Sequence, residues 1–227
     1  MGEPVRTPLI VVNLKAYEEA LGPKALVLAK ACAHVADQTG ASIAIAPTAP
    51  DLGLIARDVR IPVLAQHVDA MEPGSRTGWL PPEAALAAGA VGTLLNHSER
   101  KVPYRDLELV VPRCRKLGLE VVCCADDLAE AAAVAKLSPD FVAIEPPELI
   151  GGDVSVTTAK PDVVSSAVAR IHATNARVKV LCGAGVKTGR DVRLAIELGT
   201  VGVLLASGVV RAKDPKKALF DLAKALG

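Results

Sequence analysis

Three short apolar runs in this chain stop at polar residues whose types suit proton transfer beside an anion. One of them, Gly92-Thr93-Leu94-Leu95-Asn96, gives way to His97 and then Ser98-Glu99-Arg100-Lys101, which predicts the opening of a helix. An imidazole at such a junction faces backbone N–H groups whose partial positive charge resists its protonation. His97 is therefore expected to be neutral at pH 7, a donor toward an oxygen gaining negative charge rather than a general base. A second run, Val11-Val12-Asn13-Leu14-Lys15, ends in a neutral donor and a fixed cation. Two apart on a strand, Asn13 and Lys15 project to one side and Leu14 to the other. Alone, the pair also fits a solvated strand end.

The third run, Val142-Ala143-Ile144, carries Glu145 at its end. A carboxylate there can be desolvated and made more basic, as removal of a proton from carbon requires. The segment after it, Pro146-Pro147-Glu148-Leu149-Ile150-Gly151-Gly152-Asp153, reads as a lid, stiff at one end and hinged by glycines at the other. An ordinary loop with a solvent-facing Glu145 is the plainer alternative. Two further loops, Cys182-Gly183-Ala184-Gly185-Val186 and Ala206-Ser207-Gly208, consist of small residues that let an anion approach backbone N–H groups. Simple turns explain such loops as well.

The elements that must position these groups alternate along the chain. Apolar runs at 9–14, 42–46, 63–66, 91–96, 120–124, 141–144, 178–182 and 201–206 predict strands. Helical periodicity marks 23–39, 107–116, 126–137, 161–173 and 190–198, and the third and fourth helices read as short. Continuous apolar strands alternating with helices imply a parallel sheet covered on its faces. An internal echo decides between an open sheet and a closed barrel. Gly89-Ala90-Val91-Gly92-Thr93-Leu94-Leu95 recurs 110 residues later as Gly199-Thr200-Val201-Gly202-Val203-Leu204-Leu205. Two similar half-barrels would produce that offset, so the expected fold is a closed parallel (β/α)8 barrel with shortened helices. No linker-like segment interrupts residues 1–227, which predicts one barrel domain.

Composition removes several function classes. The net charge is +1, with no basic block and no acidic tail, so neither nucleic acid nor an anionic membrane is an expected partner. The five cysteines, Cys32, Cys114, Cys123, Cys124 and Cys182, lack metal-like spacing and read as buried, reduced thiols. Residues 1–8 carry no signal-peptide core and no run approaches membrane-spanning length, which predicts a soluble cytoplasmic protein. His34 and His172 read as surface or helix-packing residues, and His67 opens a long loop better suited to an interface. No Walker loop, early Gly-x-Gly-x-x-Gly or HExxH occurs, so nucleotide and catalytic zinc are not suggested.

Taken together and in order, five motifs resemble the triosephosphate isomerase family, in its short archaeal form. They are Asn13-x-Lys15, Asn96-His97-Ser98-Glu99-Arg100, Ile144-Glu145-Pro146-Pro147 with Ile150-Gly151, Cys182-Gly183-Ala184-Gly185 and Leu204-Leu205-Ala206-Ser207-Gly208. The likeness runs from the first strand to the eighth. It implies that Glu145 takes a proton from the carbon beside a carbonyl and that neutral His97 polarises the oxygens. Lys15 would hold the substrate and stabilise the enediolate, with Asn13 donating a hydrogen bond nearby and Glu99 paired to Lys15. Leu14 would join them in substrate binding, and backbone near Ile150, Gly151, Gly185, Ala206 and Ser207 would hold the phosphate. Such a reaction moves only protons, so no metal or organic cofactor is expected. The short archaeal form also implies a homo-oligomer, a tetramer rather than a dimer.

The chain departs from the family pattern in two places. Gly151-Gly152-Asp153 stands where members usually carry Gly-Thr-Gly, adding a negative charge near the phosphate. Gly185 stands where many members have serine, leaving Ser207 to replace that hydroxyl. Two other readings stay open at this point. One is another sugar-phosphate isomerase barrel, although such enzymes usually end strands one and five in acids, where this chain has Asn13/Lys15 and Cys124-Ala125-Asp126. The other is a catalytically silent phosphate-binding barrel that serves as an interaction protein.

Overall fold

Every expected apolar run forms a strand in the computed structural model, which describes residues 3–146 and 155–226. The strands are β1 (Leu9–Asn13), β2 (Ser42–Ala46), β3 (Leu64–Ala65), β4 (Gly92–Leu95), β5 (Glu120–Ala125), β6 (Phe141–Ile144), β7 (Lys179–Cys182) and β8 (Gly202–Leu205). All pairings are parallel and follow the order β2-β1-β8-β7-β6-β5-β4-β3. The remaining seam is closed by a parallel bridge between Ile45 and Val63, where the Ile45 N–H donates to Pro62 O at 3.0 Å. The ring is therefore the expected barrel. β3 is only two residues long, shorter than the expected 63–66, because Val63 contributes a single bridge and Gln66 has left the ladder.

Strand alternation divides the apolar side chains into two cores. Leu9 and Val11 of β1, Leu94 of β4, Phe141 and Ala143 of β6 and Leu181 of β7 fill the barrel interior. Their neighbours, such as Ile10, Val12, Leu95 and Val142, face the surrounding helices. With almost no aromatic residues, both layers are built from aliphatic side chains around the one buried Phe141. The vicinal pair splits likewise: Cys124 lies in the inner core and Cys123 in the outer one, and all five cysteines are buried and unbridged.

The sequence echo has a steric basis. Gly92 and Gly202 are the first residues of β4 and β8, and a Cβ on either would collide with the neighbouring strand, at Glu120 O and Leu9 O respectively. The two positions require a missing side chain, so the surrounding motif is repeated where the two strands enter the barrel.

The helices that follow the strands are α1 (Pro23–Thr39), α2 (Ala49–Asp58), α3 (Pro82–Ala87), α4 (Tyr104–Lys116), α5 (Leu128–Lys136), α6 (Val156–Ala159), α7 (Pro161–Thr174), α8 (Gly189–Glu197), α9 (Ser207–Val210) and α10 (Pro215–Ala223). α4 shows why they form: Leu107, Val110, Val111 and Cys114 recur at helical spacing and are the residues it buries. α3 is short, as expected, but α4 is not; it runs thirteen residues and begins at Tyr104. The expected helix start at Ser98 is also overturned. Residues 98–99 form a turn in which the Arg100 N–H donates to His97 O at 2.8 Å. Proline explains the delay, because Pro103 disfavours helical backbone at Val102 and α4 can begin only beyond it.

Candidate active site

A small cleft opens at the C-terminal mouth of the barrel. Its walls bring together Asn13, Lys15, His97, Glu145, Gly185, Ala206 and Ser207, contributed by segments at the ends of β1, β4, β6, β7 and β8. Five separate strand ends thus converge on one hollow.

Glu145 continues the inward phase of Phe141 and Ala143, so its carboxylate enters the mouth from below. Only 2% of the residue is exposed, and its Oε2 has no hydrogen-bond partner among the described residues. Burial pushes its pKa from the usual 4.5 up to about 7; the Cys124 thiol and the Lys15 charge pull the other way and do not cancel it. The solvent-facing alternative is excluded. A carboxylate poised near neutrality, with an oxygen left bare, is suited to accept a proton from carbon.

His97 faces it. Its Nε2 lies 3.6 Å from Glu145 Oε1, too far for a hydrogen bond but close enough for both groups to address one small molecule. The Glu99 N–H donates to His97 Nδ1 at 3.1 Å. Only an unprotonated Nδ1 accepts that bond, so the ring proton resides on Nε2, toward the cleft. Burial lowers the pKa of His97, and the charge of Lys15 lowers it further against the opposing pull of Glu99. The neutral donor expected from the sequence is present, held by the N–H of a turn rather than by a helix.

Lys15 reaches the cleft by an unexpected route. β1 ends at Asn13, and Lys15 adopts φ +48°, outside the strand geometry the two-residue spacing assumed. Its N–H donates to Asn13 Oδ1 at 2.9 Å, while Gln66 Nε2 donates both to Lys15 O at 3.0 Å and to Ala46 O at 2.9 Å. These bonds hold the left-handed turn that a lysine would otherwise avoid. Lys15 Nζ then pairs with Glu99 Oε1 at 2.7 Å, fixing the ammonium at the rim. Leu14 does not join the site. Its side chain is fully buried in the outer core and its N–H donates to Ala46 O at 3.0 Å, leaving neither free for a ligand.

Both small-residue loops reach the cleft. Gly185, Ala206 and Ser207 line the mouth, and Ser207 opens α9, whose first N–H groups have no carbonyl within that helix to bond. Gly183 lines the same cleft and also sits against Glu145, where a Cβ would collide with the Glu145 Cγ. Its backbone N–H donates to Ile144 O at 2.9 Å. Sequence reasoning assigned this glycine to the phosphate loop; only the register of β6 against β7 reveals it as the space that admits the carboxylate. Gln66 was likewise missed, and a polar residue ending the third apolar run was the available signal. Ile150 and Gly151, expected to contribute to phosphate binding, lie outside the described residues. Among the described residues no group of three His, Cys, Asp or Glu side chains could hold a metal ion, and no helix is long and apolar enough to cross a membrane.

Comparison with known proteins agrees with this geometry. A family model described as triosephosphate isomerase matches residues 8–226. The triosephosphate isomerase of Methanobacterium bryantii is 49% identical over 222 residues, covering 98% of each chain. That of Methanothermobacter thermautotrophicus is 47% identical over 216 residues, covering 95% of this chain and 94% of the relative. The Methanocaldococcus jannaschii protein of the same name is also 47% identical over 216 residues, covering 95% and 99%.

Proposed function

We propose, from the premise that this chain belongs to the triosephosphate isomerase family, that Glu145, His97 and Lys15 interconvert dihydroxyacetone phosphate and D-glyceraldehyde 3-phosphate. The protein is an aldose–ketose isomerase. The observation that carries the assignment of roles is the buried Glu145 carboxylate, 3.6 Å from a His97 nitrogen that bears the ring proton.

Glu145 removes a proton from the carbon next to the carbonyl and returns it to the neighbouring carbon. Its basicity follows from desolvation, and a positioned base of this kind contributes about 10²–10⁴-fold. The His97 Nε2–H donates to the oxygen that gains charge and can pass a proton between the two oxygens. Because the ring starts neutral, it stabilises that charge without surrendering the proton outright. The Lys15 ammonium offsets the enediolate and the phosphate together, and Asn13 offers its amide in the same region. Preorganised donors of this type contribute roughly 10²–10³-fold each. Backbone at Gly185, Ala206 and Ser207, with Ile150 and Gly151, is assigned to the phosphate. Binding that remote, unreacting group helps align the carbon skeleton between base and electrophile.

Glu145→Gln is expected to lower kcat by at least ~10²-fold with little change in KM, read in a coupled assay with glyceraldehyde 3-phosphate. Near-normal turnover would remove Glu145 from the chemistry. We assign the protein to the cytoplasm as a homo-oligomer, a tetramer in preference to a dimer. The apolar side chains of Leu109, Trp79 and Leu86, exposed by 64%, 56% and 40%, support association. Light scattering of the purified protein tests it, and a monomer would refute it.

A further inference from the structure

The alternation that aims side chains along β4 is reversed at one residue. Leu94 points into the barrel and Leu95 away from it, so a continuing strand would send Asn96 inward and His97 out toward the helices. The opposite occurs: His97 lines the cleft, and the Asn96 side chain reaches Glu130 on α5. The reversal coincides with φ +58° at Asn96, a conformation that costs a non-glycine residue free energy unless its surroundings hold it.

The surroundings are specific. Asn96 is almost completely buried and every polar group of its amide is engaged. Its Nδ2 donates to Cys124 O at 3.0 Å and to Glu130 Oε1 at 2.8 Å, and its Oδ1 accepts from the Val102 N–H at 3.0 Å. Residues 96 and 102 are thereby pinned to each other, closing the loop that carries His97 and Glu99. Glu130 is held in turn, because its Oε2 accepts from the Asp126 N–H at 2.7 Å and from Lys101 Nζ at 2.8 Å. Lys101 Nζ also meets Asp126 Oδ1 at 3.0 Å. The cluster joins the exit of β4, the end of β5 and the first turns of α5 into one polar bracket.

We propose that Asn96, clamped by Glu130, is a positioning residue for the isomerase reaction. It turns His97 into the cleft and holds the Glu99 N–H against Nδ1, and so sets which imidazole nitrogen carries the proton. The proposal rests on His97 being the electrophile. Glu130 supplies the acceptor that orients the Asn96 amide, and Lys101 balances its charge.

The test compares Asn96→Gly, Glu130→Ala, Glu130→Gln and His97→Gln by steady-state kinetics and by ¹⁵N NMR of the imidazoles. Glycine accepts φ +58° without strain, so Asn96→Gly removes the bracket while leaving the turn accessible. It is expected to lower kcat by ~10–100-fold with KM within about threefold, as a small misplacement of a reacting group does. The His97 nitrogens should shift from one tautomer toward a mixture. Glu130→Ala should show a smaller loss in the same direction, and Glu130→Gln, which keeps one oxygen for Asn96 but turns a donor NH2 toward the Asp126 N–H and Lys101, should recover only part of it. Wild-type kcat and unchanged His97 signals in Asn96→Gly would overturn the proposal, as would wild-type turnover in Glu130→Ala. His97→Gln separates the two possible failures. Full turnover there overturns the electrophile and the proposal with it, whereas an impaired His97→Gln beside an unimpaired Asn96→Gly overturns the bracket alone.

Discussion

Replacing Glu145 by glutamine should stabilise the fold while disabling it, and the gain should depend on pH. The carboxyl group is desolvated, one oxygen has no partner among the described residues, and its pKa rises from 4.5 to about 7. A group whose folded pKa lies above its unfolded one favours folding fully only below the unfolded value. That contribution is lost as pH climbs through the interval. Here the interval is 4.5 to about 7, roughly 2.5 pH units, and at about 1.36 kcal/mol per unit the folded protein forfeits about 3 kcal/mol by pH 8.5. Glutamine has nearly the same shape and no charge, so the variant escapes the loss. Urea unfolding followed by circular dichroism, at matched protein concentration, should find the variant about 3 kcal/mol more stable than the parent at pH 8.5. The difference should shrink to less than about 1 kcal/mol near pH 5, where the parent is protonated. The five buried thiols, whose pKa burial raises, also lose stability as pH climbs toward 8.5, but parent and variant share that loss and it cancels in the comparison. A stability difference independent of pH would refute the claim that burial raises the carboxyl pKa.

Three further outcomes follow from the same geometry. The acid limb of kcat/KM should fall about tenfold per pH unit below about 7 as Glu145 is protonated. Using D-glyceraldehyde as a phosphate-free substrate removes substrate titration, and a flat profile down to pH 5.5 would contradict the base assignment. Lys15→Met should cost at least ~10²-fold in kcat/KM and let the His97 pKa rise, since the Lys15 charge holds it down. An NMR titration in which His97 moves the other way would be incompatible with that electrostatic account. Gly183→Ala should displace Glu145, lowering kcat at least tenfold and destabilising the fold by roughly 1–3 kcal/mol through overpacking. Unchanged kinetics in that variant would mean that the carboxylate does not depend on the vacant space.

Much of the barrel could be read from the chain because its strands are written in aliphatic composition, and two of them also in glycines that no side chain could replace. Gly92 and Gly202 announced two strand starts through a repeated motif whose cause is steric crowding. The polar residues of the site stood out at the ends of apolar runs, and the ordered set of motifs, by its resemblance to one family, gave them roles that a solvated strand end would not. What could not be read is how the backbone leaves those strands. The positive φ of Lys15 and Asn96 depends on partners far along the sequence, Gln66 for one and Glu130 for the other. Local propensity predicted a strand at the first position and a helix soon after the second, and distant hydrogen bonds overruled both. Leu14 illustrates the converse. The resemblance implied substrate binding there, but the strand alternation and its own apolarity commit it to the opposite face.

The reactive groups fall into two sets along the polypeptide. Lys15, His97 and Glu99 all precede the turn at Gly118, whereas Glu145, Gly185 and Ser207 all come after it. A backbone cut there would leave one fragment with the cation and the imidazole and another with the carboxylate and the anion cradle. Neither piece alone could turn over substrate, so catalysis recovered on mixing would report that the two halves had found each other and rebuilt the ring.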